Sequence, residues 1–125
     1  MASGSPSSGI FSIHLKAEGA SVMVGGDYQA PDDTTATVAT SVDGGLSWHL
    51  ALEPRGVGFR SGVAWRNDPA LPLWVAVGTS GSSCSLDDGR SWLTFDTTPL
   101  NAVAFSGSVG WAAGPEGRVL RLRVD

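Results

Sequence analysis

The sequence has little of what helices are usually built from. Lysine, glutamate and glutamine are scarce across its 125 residues, while 17 Gly, 7 Pro and 5 Trp stand among many Val, Ser and Thr. Such a composition favours strands and tight turns. The one cysteine, Cys84, excludes an intrachain disulfide, so packing and hydrogen bonds must hold the fold, and the redox compartment stays undecided. No apolar run approaches the ~20 residues of a membrane-spanning helix, and "MASGSPSSG" lacks both the basic and the apolar region of a secretory signal. A soluble chain is expected, with no membrane partner, no signal peptide and no compartment named. Positive charge is not in excess either: 8 basic against 12 acidic residues leave −4, which gives no broad footprint for nucleic acid or anionic lipid. In "RVLRLRV" (118–124), Arg121 and Arg123 share a phase that Arg118 does not, and the segment reads as a solvated strand face.

What is present suffices for one domain, since 42% of the residues are hydrophobic. Residues 1–9 carry Ser, Gly and Pro without pattern and read as a flexible lead. From Ile10 the chain alternates. Phe11, Ile13 and Leu15 fall on one face, with Ser12, His14 and Lys16 on the other, as in a half-buried strand. "ASVMVGG" and "TATVATSV" continue a meander, and Leu46, Trp48, Leu50 and Leu52 alternate in its fourth strand.

The chain then says nearly the same thing again. "SVDGGLSW" (41–48) and "SLDDGRSW" (85–92) share Ser, Asp, Gly, Ser and Trp at matched positions. Asp43 to Asp87 and Trp48 to Trp92 are each 44 residues apart, Trp65 to Phe105 is 40, and Leu15 to Trp65 is 50. The longest interval is accounted for by the loop "DYQAPDDT". Periods of ~40 to 50 residues suit propeller blades, each a four-stranded antiparallel sheet. The expected fold is therefore all-β, with propeller-type blades at about 10–53, 59–96 and 100–125, two full and one partial, within a partial propeller over 10–125.

Ser41, Asp43, Gly45, Ser47 and Trp48, and again Ser85, Asp87, Gly89, Ser91 and Trp92, resemble the Asp-box of the BNR repeats in sialidase-like propellers. The wording around them, "VGGDY", "FRSGVAW", "VAVGTSG" and "NAVAF...GWAAGPEGRV", is similar to the C-terminal part of bacterial propellers related to the photosystem II assembly-factor family. The resemblance implies that each turn lies at the outer edge of a blade, away from the binding face, so that Asp43 and Asp87 are structural and not catalytic. Turn chemistry agrees: Asp accepts from backbone N–H groups, Gly supplies positive φ, and Trp covers the turn. Calcium at Asp87 and Asp88 is the alternative.

Sialidase chemistry would need an arginine cluster, a Tyr nucleophile helped by Glu, and an Asp acid/base. Tyr28 is the only tyrosine, and Glu18, Glu53 and Glu116 are scattered, so the activity does not carry over with the resemblance. His14 and His49 have no metal-spaced partners, Cys84 has no evident base, and no phosphate-binding glycine motif is present. No catalytic residue, metal or cofactor is assigned. A ligand, protein or carbohydrate, would meet the loops between second and third strands and between blades, where Asp27, Tyr28, Arg55, Arg60 and Glu116 supply varied chemistry. The blander alternative pairs Arg60 with a neighbouring carboxylate and packs Tyr28 on the next blade.

Three copies, the last without a fourth strand, make an arc. Propellers use about 4 to 8 blades, so completion by a homo-oligomer is expected, a dimer above all. The chain reads as a non-catalytic binding or assembly module. Its rivals are a glycosidase-like hydrolase built across chains from Asp27, Asp32, Asp33 and Glu116, and a structural propeller fragment without a selected ligand.

Overall fold

The structure, a computed structural model, describes residues 1, 3–16, 19–51 and 57–123. The chain is all-β. Three antiparallel meanders follow one another, with each strand paired to its sequence neighbour. The first sheet contains β1 (Ser8–Leu15), β2 (Ser21–Asp27), β3 (Val38–Ser41) and β4 (His49–Leu50). The second contains β5 (Gly62–Arg66), β6 (Leu73–Gly78), β7 (Gly81–Ser85) and β8 (Leu93–Asp96). The third stops at three strands, β9 (Ala102–Ser106), β10 (Val109–Ala113) and β11 (Val119–Leu122). One 3-10 turn, Pro115–Gly117, links β10 to β11, and among the described residues no helix is long and apolar enough to cross a membrane.

The start of β1 precedes the expected boundary at Ile10. Ser7 is buried, and its hydroxyl donates to the Asp27 carboxylate at 2.6 Å, while Ser8 and Gly9 pair with Asp27 and Gly26. A carboxylate at the end of β2 thus draws two residues of the Ser/Gly lead into the sheet. Register shifts between Ile10 and Ser12, and Phe11, at this bulge, stands edge-on to Phe59 at 5.0 Å.

Registers reveal how the copies correspond. Leu15, Trp65 and Phe105 occupy one position in the three innermost strands, opposite Ser21, Trp74 and Gly110. The first sheet turns Val22, Val24 and Val38 toward Val63, Trp74, Ala76 and Trp92 of the second. The second turns its other face, Leu73, Val75 and Val77, toward Leu100, Ala112, Val103 and Phe105. The core thus consists of two apolar layers between three stacked sheets. Innermost strands converge: a Cβ on Gly62 of β5 would lie 3.2 Å from the Ala102 Cα of β9, so a larger residue there would push the two strands apart by a few tenths of an ångström.

Alternation along β1 is present, but its sense is inverted. Ser12, His14 and Lys16 face the second sheet: the Ser12 hydroxyl accepts from the Val63 N–H at 3.2 Å, the His14 ring stands edge-on to Trp74 at 5.5 Å, and Lys16 lies over the Trp65 ring at 4.1 Å. Ile13 and Leu15, on the opposite face, are 53% and 59% exposed. Period-two spacing establishes which residues share a face and leaves open which face acquires a neighbour. The apolar face of β1 is the outward face of the first sheet.

Candidate functional site

Five loop residues were expected to gather on one face. Arg55 lies outside the described residues. Asp27 closes β2, its carboxylate accepting the Ser7 hydroxyl, which holds the N-terminal segment to the sheet, and the Gln29 N–H at 2.9 Å, which organises the turn after β2. Tyr28 is exposed, its ring edge-on to Phe11 and Phe59 at 6.1 and 6.4 Å. Its contacts therefore reach the segment leading into the second sheet. Glu116 is exposed in the β10–β11 turn with φ 62, on the third sheet, whose turn contacts Pro99 and Leu100 through Gly114. The structure brings together Asp27, Tyr28 and the segment ending at Arg60, and leaves Glu116 on another sheet.

Arg60 is a core residue. It is 1% exposed, and its backbone N–H donates to the Gly25 carbonyl at 3.0 Å, which fastens β2 to the approach of β5. The guanidinium lies across the second sheet, donating to the Phe59 carbonyl at 3.0 Å and to the Ser80 and Ser83 hydroxyls at 2.8 Å each. Neither of the two ion pairs found among the described residues involves it. Burial brings its pKa down to about 10, which still leaves it cationic at neutral pH, and its Nε has no partner. Arg60 lines a cleft of about 100 Å³ with Pro31, Asp32, Thr34, Ser80 and Thr94. The serines that receive it, in "GTSGSS", gave no sign of this in the sequence, because an arginine held by hydroxyls has no charge pattern to read.

The repeated octapeptides form two turns with the same hydrogen-bond pattern. The Ser41 hydroxyl donates to Asp43 Oδ1 at 2.8 Å and accepts from the Gly45 N–H at 2.9 Å; Ser85 does the same with Asp87 and Gly89 at the same distances. Asp43 Oδ1 accepts the Ser47 N–H at 2.9 Å, and Asp87 Oδ1 the Ser91 N–H at 2.8 Å. Each second carboxylate oxygen takes the following serine hydroxyl. Trp48 and Trp92 close the turns, their indole N–H donating to the Gly45 and Gly89 carbonyls at 3.0 and 2.7 Å. The hydrogen bond from the Ser47 hydroxyl, with those from its N–H and from Ser41, holds the Asp43 carboxyl down at about 2. At Asp87 burial opposes ionisation, but Ser91, Ser85 and the Arg90 charge prevail, and its pKa also falls.

A third group centres on Asp88, which the sequence offered only as a calcium candidate with Asp87 and not as a link between sheets. Asp88, with φ 59, lies where the second turn meets the first sheet: its Oδ1 accepts Nζ of Lys16, at the end of β1, and the indole N–H of Trp74 in β6 of its own sheet, each at 3.0 Å. Partial burial works against its charge; Trp74, Lys16 and Arg90 outweigh that and lower its pKa. The carboxylate joins two sheets, and among the described residues no group of three or more His, Cys, Asp or Glu is placed to hold a metal ion. Cys84 is partly buried, and burial pushes its thiol up, away from the reactive thiolate. It lines an apolar cavity of about 320 Å³ between the second and third sheets.

The two turns, Asp88 and Arg60 thus link strands and loops around the two apolar layers. The chain matches no protein-family model and no curated protein.

Proposed function

We propose that the chain is a non-catalytic, propeller-type binding or assembly module that closes by self-association, its repeated turns being Asp-boxes of the BNR kind. The observation that carries this reading is the pair of open apolar faces at the two ends of the stack. On the first sheet the face holds Ile13 and Leu15, paired across the ladder with Met23 and Ser21. On the third it holds Trp111, 50% exposed, between its cross-strand partners Ala104 and the exposed Arg121, with Val109 and Val119 nearby. Large exposed apolar patches of this kind mark interaction surfaces.

The two faces are of opposite kinds. Register equates Ile13 and Leu15 with Val63 and Trp65, the face that the second sheet turns to the first. It equates Trp111 and Ala113 with Val75 and Val77, the face that the second sheet turns to the third. A third sheet laid on the first sheet of another copy would repeat the junction already made twice within the chain. Done reciprocally, this gives a two-fold dimer of six sheets, within the range of propeller rings.

Absolute mass by light scattering across a dilution series tests the reading. Twice the chain mass is expected, reverting to the monomer in Trp111→Arg and in Ile13→Lys. A wild-type protein that stays monomeric at every concentration would overturn it.

A further inference from the structure

We propose that the polar cleft under the loop between β2 and β3 binds a small zwitterion, a free amino acid of glycine's size, with its carboxylate toward Arg60 and its ammonium toward Asp32. The site lies within one chain, so the inference does not rest on self-association and can fail separately from it.

Comparison of the repeated units locates the site. The Arg60 N–H donates to the Gly25 carbonyl at 3.0 Å, and the Leu100 N–H donates to the Gly78 carbonyl at the same distance. Arg60 and Leu100 are 40 residues apart, as Trp65 and Phe105 are, and each fastens the second strand of one sheet to the approach of the next. Leu100, 2% exposed, belongs to the apolar layer between the second and third sheets. At the equivalent place between the first and second sheets stands an arginine, received by Ser80 and by Ser83, whose hydroxyl also bonds that of Thr94 at 3.0 Å. The loops differ there too. Residues 79 and 80 join β6 to β7, whereas residues 28–37 join β2 to β3. Arginine in place of leucine and a long loop in place of a tight turn coincide, and the cleft of about 100 Å³ is lined by both.

The loop is tied down beside the cleft. The Phe59 N–H donates to the Pro31 carbonyl at 2.9 Å, and the Thr37 hydroxyl to the Val57 carbonyl at 2.7 Å. A Cβ on Gly58 would fall 2.1 Å from the Pro31 oxygen and 3.1 Å from Ser80 Oγ, so glycine at 58 lets the loop and Ser80 close on one point.

Charge defines the ligand. Of the five N–H groups of the Arg60 guanidinium, three are taken, by the Phe59 carbonyl and the Ser80 and Ser83 hydroxyls. These acceptors are all neutral, and a buried cation without a counter-charge is costly. Ser80 relays the charge to the cleft: its Oγ accepts from Arg60 Nη1 at 2.8 Å, and its own proton has only the Phe59 carbonyl at 3.5 Å, which leaves it to a better acceptor. The other charged residue of the lining is the exposed Asp32, and neither ion pair among the described residues includes Asp32 or Arg60. A bare anion would be repelled by Asp32 and a bare cation by Arg60, while a molecule carrying both charges satisfies each. Room for about three waters, at ~30 Å³ each, restricts the ligand to an amino acid with little or no side chain.

Glycine is the probe, titrated into the isotope-labelled full chain and followed by amide NMR. Shifts at Gly58, Arg60 and Ser80 should saturate, and acetate and methylammonium, each with one of the two charges, should bind about ten-fold more weakly. Asp32→Asn, in an exposed part of the loop, should weaken glycine about ten-fold and strengthen acetate. Arg60→Leu, which copies the position of Leu100, should abolish glycine binding. The absence of a saturable shift with glycine overturns the proposal, as does undiminished glycine binding by Asp32→Asn. Acetate bound by the wild type as tightly as glycine would make the cleft a simple anion site, and methylammonium bound as tightly would make it a cation site; either result also overturns it.

Discussion

The two octapeptide turns have nearly the same hydrogen bonds and very different surroundings. In the second, Trp92 is 7% exposed and packed in the layer between the first and second sheets. In the first, Trp48 is half-buried, and the nearest atoms to a Cβ on Gly45 are those of Trp48 itself and Leu15, beyond 3.5 Å. The Ser, Asp, Gly and Trp positions therefore build the turn without help from any neighbour, through bonds closed within five residues. What the neighbour decides is how much apolar surface the turn buries, and with it the energy that the turn contributes to the fold.

That difference sets the largest expected effect. Trp92→Ala should cost about 3–5 kcal/mol, the usual range for removing a large aromatic from a core, measured by urea unfolding. Trp48→Ala should cost much less in dilute protein. If the first face is covered by a second copy, the penalty at Trp48 will grow with protein concentration. Equal penalties for the two tryptophans at high dilution would break the comparison.

The glycines sharpen it. Gly45 and Gly89 have φ 92 and 88, so alanine at either is strained by about 1–2 kcal/mol. At Gly89 the added methyl also meets Val22 and Thr40 at under 3 Å, an overpacking penalty of about 1–3 kcal/mol more. Unfolding of Gly89→Ala and Gly45→Ala should differ by that second amount, and a difference near zero would mean that the junction relaxes freely.

Asp88 has no counterpart at Gly44, and it tests whether a turn can add a polar link to a packed junction. Asp88→Asn keeps an acceptor for the Trp74 indole and loses the Lys16 ion pair, whose side chains are 21% and 45% exposed. A loss of about 0.5 kcal/mol is expected. Asp88→Ala also leaves the buried indole N–H without an acceptor, for a total of about 1–3 kcal/mol. Equal losses for the two variants would show that the indole bond contributes nothing.

Much of the architecture was legible because strands and turns leave short-range signals. The 44-residue spacing of the octapeptides, the alternation along β1 and the missing fourth strand of the third copy all correspond to elements of the structure. Environment was not legible. Ile13 and Leu15 belong to an apolar face on which no sheet packs among the described residues, and Arg60, a charged residue in a loop, lies in the core with hydroxyl partners 20 and 23 residues away. Local patterning records which side chains go together; burial depends on which sheets meet, and the sequence carries that information only through long-range complementarity.

The smallest effect is electrostatic and tests whether the first turn is self-sufficient. Asp43 is solvent-facing, yet hydrogen bonds from Ser47 and Ser41 hold its carboxyl at about 2, against 3.8 for an unperturbed group. A carboxylate whose folded pKa lies below its unfolded value stabilises the fold fully above the unfolded value and loses that contribution as pH falls through the folded one. The contribution of Asp43 should accordingly be intact at pH 5 and vanish between about 3.8 and 2. An NMR titration of the Ser47 amide should report a midpoint near 2 in the wild type, and Asp43→Asn should remove the transition without altering the second turn. A midpoint at or above 3.8 would mean that an isolated turn does not hold its own hydrogen bonds in water, and that the likeness between the two turns depends on packing after all.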